Sequence, residues 1–269
     1  MQPYDIYELM ITPPNKKGEM IISELTKNNP NLNLVRDLIA LWANLDWQNE
    51  TVDTALHVCA YLNRPETARM LIDAGADVNV QNNDGFTALH ICTYYDRLEI
   101  AKMLIDAGVD VNIQNEDGWT ALHRCAAYKS IEVAKMLIDA GADLNIQDYD
   151  GKITALHWGL FWNHPEIARI LIDAGADVNI QDEYGSTALH WCAERNHPEI
   201  ARMLIDAGAN LNIQNEYGST ALHRCAYFDL PEMVQMLLEA GADKTIPNNN
   251  RKLPYELAKT QELKELLKV

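Results

Sequence analysis

The sequence predicts an all-α repeat solenoid, a stack of antiparallel helix pairs with hairpin or turn tips. Three observations carry that expectation. Thr-Ala-Leu-His occurs six times, at Thr54–His57, Thr87–His90, Thr120–His123, Thr154–His157, Thr187–His190 and Thr220–His223, spaced by 33 residues four times and by 34 once. A second block, Leu-Ile-Asp-Ala-Gly-Ala-Asp-Val-Asn-Ile-Gln with small changes, follows each copy at a fixed distance. Each period holds two helical patterns, too little for a core of its own, so neighbouring units must stack to bury their apolar faces.

Taken in chain order, residues 1–18 form an N-terminal arm with Pro13-Pro14 and Lys16-Lys17, for which the sequence assigns no element. Residues 19–48 read as an N-terminal capping repeat. Glu19 to Lys27 suits its first helix, and Leu34 to Trp47 follows the register of its second, with Leu41-Trp42-Ala43 replacing Ala-Gly-Ala. Val52 stands where the first tip needs glycine, so that turn is expected to be irregular. Six repeats then cover 49–246, at about 49–81, 82–114, 115–147, 148–181, 182–214 and 215–247. Residues 247–269 read as a C-terminal cap, in which Leu253-Pro254-Tyr255-Glu256 replaces Thr-Ala-Leu-His and Glu262 to Leu267 closes the core.

The repeat at 115–147 shows why the unit folds this way. Asn115-Glu116-Asp117-Gly118-Trp119 is a turn signal, with Gly118 free to take positive φ. Thr120 suits an N-cap, and Ala121 to Ala127 supply small, good helix formers for a short first helix. After Lys129-Ser130, Ile131 to Ile138 place apolar residues at helical spacing. Gly141 ends that helix as a left-handed residue, and Asp143 to Gln147 are expected to be extended.

Turn, helix, helix and arm in this register resemble the ankyrin repeat over residues 34–269. The resemblance implies an L-shaped stack with β-hairpin tips, and protein binding rather than catalysis. It also implies a structural part for the six histidines, and it makes Asn79, Asn112, Asn145, Asn179 and Asn212 candidates for asparaginyl hydroxylation. The chain departs from the family in two ways. Ala replaces the usual Pro after each Thr, and Asn63, Asp96, Lys129, Asn163, Asn196 and Asp229 replace the usual Gly between helices. Asn and Asp tolerate left-handed geometry, so five of those six exchanges are physically easy. Pro65, Pro165, Pro198 and Pro231 begin second helices, where proline is tolerated.

The net charge is −17, and residues 34–243 hold 13 Lys/Arg against 32 Asp/Glu. Such an array repels phosphates and anionic lipid, so neither nucleic acid nor a membrane is an expected partner, and a basic or apolar protein fits better. No run of about 18 apolar residues is present, and the first residues lack the pattern of a secretory signal.

Cys59, Cys92, Cys125, Cys192 and Cys225 occupy one place in successive repeats. Helices pack about 8–10 Å apart and a disulfide needs Cα atoms within about 7 Å, so the cysteines read as buried thiols in a reducing, cytoplasmic compartment. The same spacing separates the histidines too widely for Zn²⁺, whose ligands lie at about 2.0–2.1 Å from the ion. Each imidazole is instead expected to bond its threonine hydroxyl and a neighbouring backbone group. His164 and His197 read as solvated residues before proline. Asp73, Asp106, Asp139, Asp173, Asp206 and Glu239 read as a solvated ridge at helix C-termini. No catalytic residue, metal site or cofactor is expected, and the chain is expected to act as a monomer.

Positions identical between repeats serve the fold, so those that vary are free to serve a partner. Variation concentrates at two places, which in an ankyrin stack line one concave surface. Helix ends contribute Tyr61, Tyr94, Tyr95, Tyr128, Phe161, Trp162, Tyr227 and Phe228, and tips contribute Phe86, Trp119, Tyr149, Tyr184 and Tyr217. About half are expected to be exposed. Glu194 and Arg195 interrupt the stripe in the fifth repeat, and Lys152-Ile153 lengthen the fourth, where Gly159 replaces cysteine. The groove is expected to centre there, with Gly159 allowing closer backbone approach, and neutral drift compensated by Gly159 is the alternative reading. Trp158 and Trp191 read as packing between repeats, while Arg124 and Arg224 fit either exposure or pairing with an acid. The resulting expectation is a protein-interaction scaffold. A secreted effector of an intracellular microbe or virus that captures a host protein is the alternative, and an enzyme is a weaker one.

Overall fold

A computed structural model describes residues 6–268, and the chain divides after Ala142 into two compact units. The first holds α1 (Ile6–Ile11), α2 (Pro14–Leu25), α3 (Leu32–Ala40), α4 (Ala55–Leu62), α5 (Pro65–Asp73), α6 (Ala88–Tyr95), α7 (Leu98–Asp106), α8 (Ala121–Tyr128) and α9 (Ile131–Asp139). The second holds α10 (Ala155–Phe161), α11 (Pro165–Asp173), α12 (Ala188–Arg195), α13 (Pro198–Asp206), α14 (Ala221–Phe228), α15 (Pro231–Glu239), α16 (Pro254–Leu257) and α17 (Gln261–Leu267). Within each unit first helices pack on first helices (α4 on α6 on α8; α10 on α12 on α14), and second helices on second. The architecture is an all-α repeat solenoid.

Each Thr-Ala-Leu-His opens a first helix by a reciprocal cap. In the first copy the Thr54 N–H donates to His57 Nδ1 at 3.1 Å, and the Thr54 hydroxyl lies 2.8 Å from the same nitrogen. The leucines of the motif form a column, Leu56, Leu89 and Leu122 in the first unit and Leu156, Leu189 and Leu222 in the second, each at most 2% exposed. Leu71, Leu104 and Leu137 on the second helices, and Leu171, Leu204 and Leu237 in the other unit, are equally buried. Full burial of each contributes about 1.5–3 kcal/mol.

All six residues between the helices, Asn63 to Asp229, take positive φ of 52–61°, Lys129 included. Pro65, Pro165, Pro198 and Pro231 begin α5, α11, α13 and α15. The acid column lies exposed at the last residue of each second helix.

Several expectations are corrected. The cap's first helix begins at Pro14, not Glu19, and residues 6–11 are also helical. Gly18 explains why: a Cβ there would sit 2.3 Å from the Asn44 oxygen and 2.6 Å from Trp47 Cβ, so only glycine lets α2 pack on the following segment. Lys17, beside it, is buried and donates to the Leu41 oxygen at 2.6 Å. The first tip is regular despite Val52. Its bonds, Asn49 N to Asp53 O and Val52 N to Asn49 O, reproduce those of Asn82 to Phe86, and Val52 is held at φ 62°. The tips are turns, and no strand occurs among the described residues. Adjacent tips share too little backbone pairing for a ladder, for example Glu116 N to Asp84 O or Glu216 N to Tyr184 O. The arm is a turn at Leu144-Asn145, not an extended segment. Gly159 meets nothing closer than 3.5 Å at an added Cβ, so close approach does not account for it.

Candidate functional site

Side-chain ladders place the tips. Gln81 Nε2 donates to the Gly85 oxygen of its own tip at 2.7 Å and to the Gln114 oxygen of the next repeat at 3.0 Å. Gln181 and Gln214 do the same in the second unit. The arm asparagines are part of the frame: Asn79, Asn145, Asn179 and Asn212 each accept, through Oδ1, the backbone N–H of the residue 31 or 32 positions on. Asn112 N donates to Asp110 at 2.9 Å.

Each motif histidine caps its own helix, and His57, His90, His190 and His223 also reach the next tip. Because Nδ1 accepts from the threonine N–H, the ring proton lies on Nε2. It is donated to Phe86 O by His57 (2.8 Å), to Trp119 O by His90 (3.0 Å), to Ser219 O by His190 (2.9 Å) and to Lys252 O by His223 (3.1 Å). Each bond ties one repeat to the tip of the next, and Thr120–His123 and Thr154–His157 carry the same cap. Burial lowers the pKa of His90 and His190 to about 4, so both are neutral at pH 7. The five cysteines are free and buried, and burial pushes their thiols up, to about 12 for Cys225. No group of three or more His, Cys, Asp or Glu among the described residues could hold a metal ion. His164 and His197 are half-buried rather than solvated, and burial lowers the pKa of His197.

The varying positions lie on one side of each unit's first helices. Of the thirteen aromatics, Tyr94, Tyr95, Tyr128, Tyr149, Phe161, Trp162, Tyr184, Tyr217, Tyr227 and Phe228 are exposed, while Tyr61, Phe86 and Trp119 are half-buried. In the first unit the rings form a chain of edge contacts, Tyr61 to Tyr95 at 6.0 Å, Tyr95 to Tyr94 at 4.8 Å and Tyr94 to Tyr128 at 4.6 Å. Arg124 lies over Phe86, and Arg97 over Tyr95 at 5.3 Å.

In the second unit Phe161 contacts Trp158, Trp162 and Trp191. Arg195 stacks on Phe161 and Trp191 at 4.7 and 4.6 Å. Tip and helix residues, Tyr184, Tyr217, Trp191, Glu194, Arg195 and Arg224, together line a cleft of about 320 Å³. Trp158 and Trp191 are fixed by indole N–H bonds to Asp148 (3.1 Å) and Asp182 (2.8 Å). Arg224 pairs with Glu194 at 2.6 Å. The inserted residue is absorbed at the tip, where Gly151 and Lys152 both take positive φ and Lys152 is exposed. Arg97 and Lys259, which stacks on Tyr227, join this face unforeseen. Their sequence signal is a cation a few residues after a helix-end aromatic or in the cap, too common to single out.

The family profile described as ankyrin repeats (3 copies) matches residues 20–115, 107–182 and 175–248. The chain belongs to the ankyrin-repeat family. A search of curated protein sequences returns no match. Among solved structures, the chain is similar to the ankyrin repeat domain of Bcl-3, a member of the IkappaB protein family, with 27% identity and a TM-score of 0.75. That match covers 81% of this chain and 99% of the Bcl-3 domain. Ankyrin repeats are in general protein–protein interaction modules, and no helix among the described residues is long and apolar enough to cross a membrane.

Proposed function

We propose that this ankyrin-repeat protein is a non-catalytic scaffold that binds a protein or peptide on the aromatic face formed by its first-helix ends and tips. The observation that carries the reading is the exposure of ten large aromatics at the positions where the repeats differ. Tyr and Trp anchor interfaces at low entropic cost, and a row of exposed rings on a soluble scaffold marks a contact surface. The titratable groups of the repeated motif support a binding role over a catalytic one, because histidines neutral at pH 7 and protonated, buried thiols offer no nucleophile or proton relay. Five free thiols favour a reducing compartment as its place of action.

The test is selection of binders from a phage-displayed random dodecapeptide library. Selected peptides are then titrated against the wild type and the variant Tyr94→Ala/Tyr128→Ala/Phe161→Ala/Trp162→Ala. Each buried aromatic hot spot contributes about 2 kcal/mol or more, so the variant should lose at least about thirtyfold in affinity. Affinity retained within about twofold places the contact elsewhere.

A further inference from the structure

Arg124 and Arg224 each follow the histidine of the repeated motif, so they occupy the same place in two repeats. Their surroundings differ at several matching places, Phe86 and Ile91 for the first against Ser186 and Trp191 for the second, and most directly thirty positions back. The residue thirty positions before Arg224 is Glu194, whose Oε1 lies 2.6 Å from Arg224 Nη2. The residue thirty positions before Arg124 is Tyr94. No carboxylate takes its part. The Arg124 side chain has no hydrogen bond or ion pair among the described residues, and its Nε, like that of Arg224, is buried without an acceptor. Its guanidinium carbon lies 4.4 Å from the Phe86 ring centre, 5.3 Å from Tyr94 and 5.5 Å from Tyr128. Burial draws its pKa down, and the groups that act on its charge, Tyr128, Tyr61, Tyr94 and Cys125, include no carboxylate. The residue nevertheless keeps part of its surface open. A guanidinium held against rings and lacking an acid keeps its terminal donors available, in the fork geometry that fits a carboxylate.

We propose that Arg124 anchors an aspartate or glutamate side chain of the partner, which takes the position beside Arg124 that Glu194 takes beside Arg224. The proposal rests on the reading of the aromatic face as the partner site. It is compatible with the acidic array, in which residues 34–243 hold 13 Lys/Arg against 32 Asp/Glu. The field of that array acts at long range and is screened beyond about 8 Å at physiological salt, whereas a desolvated ion pair acts at contact. The matching segment therefore carries one acidic residue among apolar or basic neighbours, and the apolar neighbours pack on Tyr94 and Tyr128.

Two variants test this by opposite routes. Arg124→Gln removes the cation, and Tyr94→Glu fills its place from within, as Glu194 does for Arg224. The library selected on the wild type should enrich Asp or Glu at one fixed position. Replacing that acid by its amide should weaken binding to the wild type about tenfold or more, the cost of a charge-assisted contact. The same replacement should change binding to either variant by less than about twofold, as a double-mutant cycle requires. Circular dichroism melting of both variants establishes that they are folded. Equal loss in wild type and variants, or selected peptides without a fixed acid, overturns the role of Arg124 and leaves the aromatic face standing. Peptides unaffected by the four-alanine variant overturn the face and this proposal together.

Discussion

Lowering the pH from 7 to 5 should destabilise both units through the repeated histidines. His90 in the first unit and His190 in the second have pKa values of about 4, against the ordinary 6.5 that applies once the chain unfolds. Their folded values are depressed, so the stability they contribute is present above pH 6.5 and is lost as the pH falls toward 4. In that window the unfolded chain binds a proton that the folded chain refuses, at a slope of about 1.4 kcal/mol per pH unit for each group. Between pH 7 and 5 the loss integrates to about 2 kcal/mol per histidine, or about 4 kcal/mol for the pair. Burial also lowers His57 and His223, which adds in the same direction. Asp148, raised by burial, acts in the opposite sense. Ordinary carboxylates titrate below this range. The cause is burial of the ring, and protonating Nδ1 would in addition set a proton against the threonine N–H that it accepts. Urea unfolding followed by far-ultraviolet circular dichroism at the two pH values measures the loss. Coincident midpoints, or NMR titration of His90 and His190 near pH 6.5 in the folded protein, would refute the reasoning.

Four further outcomes are expected. Val52→Gly should stabilise the first unit by about 1 kcal/mol in urea melts, because a β-branched residue is held at φ 62°. Thr220→Ala should cost about 1 kcal/mol through loss of its cap, read the same way in the second unit. Leu104→Ala, at a side chain with no exposure, should cost about 2–5 kcal/mol, while Tyr149→Ala and Tyr217→Ala should each change stability by less than about 0.5 kcal/mol. Thiol labelling with a chromogenic disulfide should find all five cysteines unreactive until the protein unfolds, since each is buried and none pairs.

The repeated elements were legible because one physical pattern is written six times. Threonine as cap, leucine as core and a left-handed residue after each helix can be read from any copy. What escaped the sequence lies where a single contact decides. Lys17-Gly18 lie in the arm for which the sequence assigns no element, and the Asn44 oxygen, 2.3 Å from where a side chain at Gly18 would begin, is a contact that no local pattern announces. Val52 reads as a broken turn, yet the backbone bonds of that tip override its preference. Most of the candidate face was legible as aromatic substitutions at varying positions. The different surroundings of Arg124 and Arg224 were not, because the deciding residue stands thirty positions back in a neighbouring repeat.

The separation between frame and face has an energetic reason. A change in Thr-Ala-Leu-His removes a cap worth about 1 kcal/mol or a core leucine worth about 2–5 kcal/mol. In the copies with His57, His90, His190 and His223 it also breaks the histidine bond to the next tip. Damage to one copy therefore weakens two repeats, and all six copies are held alike. The helix-end and tip aromatics are mostly exposed, and several contact one another, so replacing one disturbs little of the stack. Such positions can change one at a time without unfolding the protein. Tyr94 and Glu194, at matching places before Arg124 and Arg224, are one such difference. It leaves Arg124 without the internal carboxylate that Arg224 has, while the histidine caps His123 and His223 are kept.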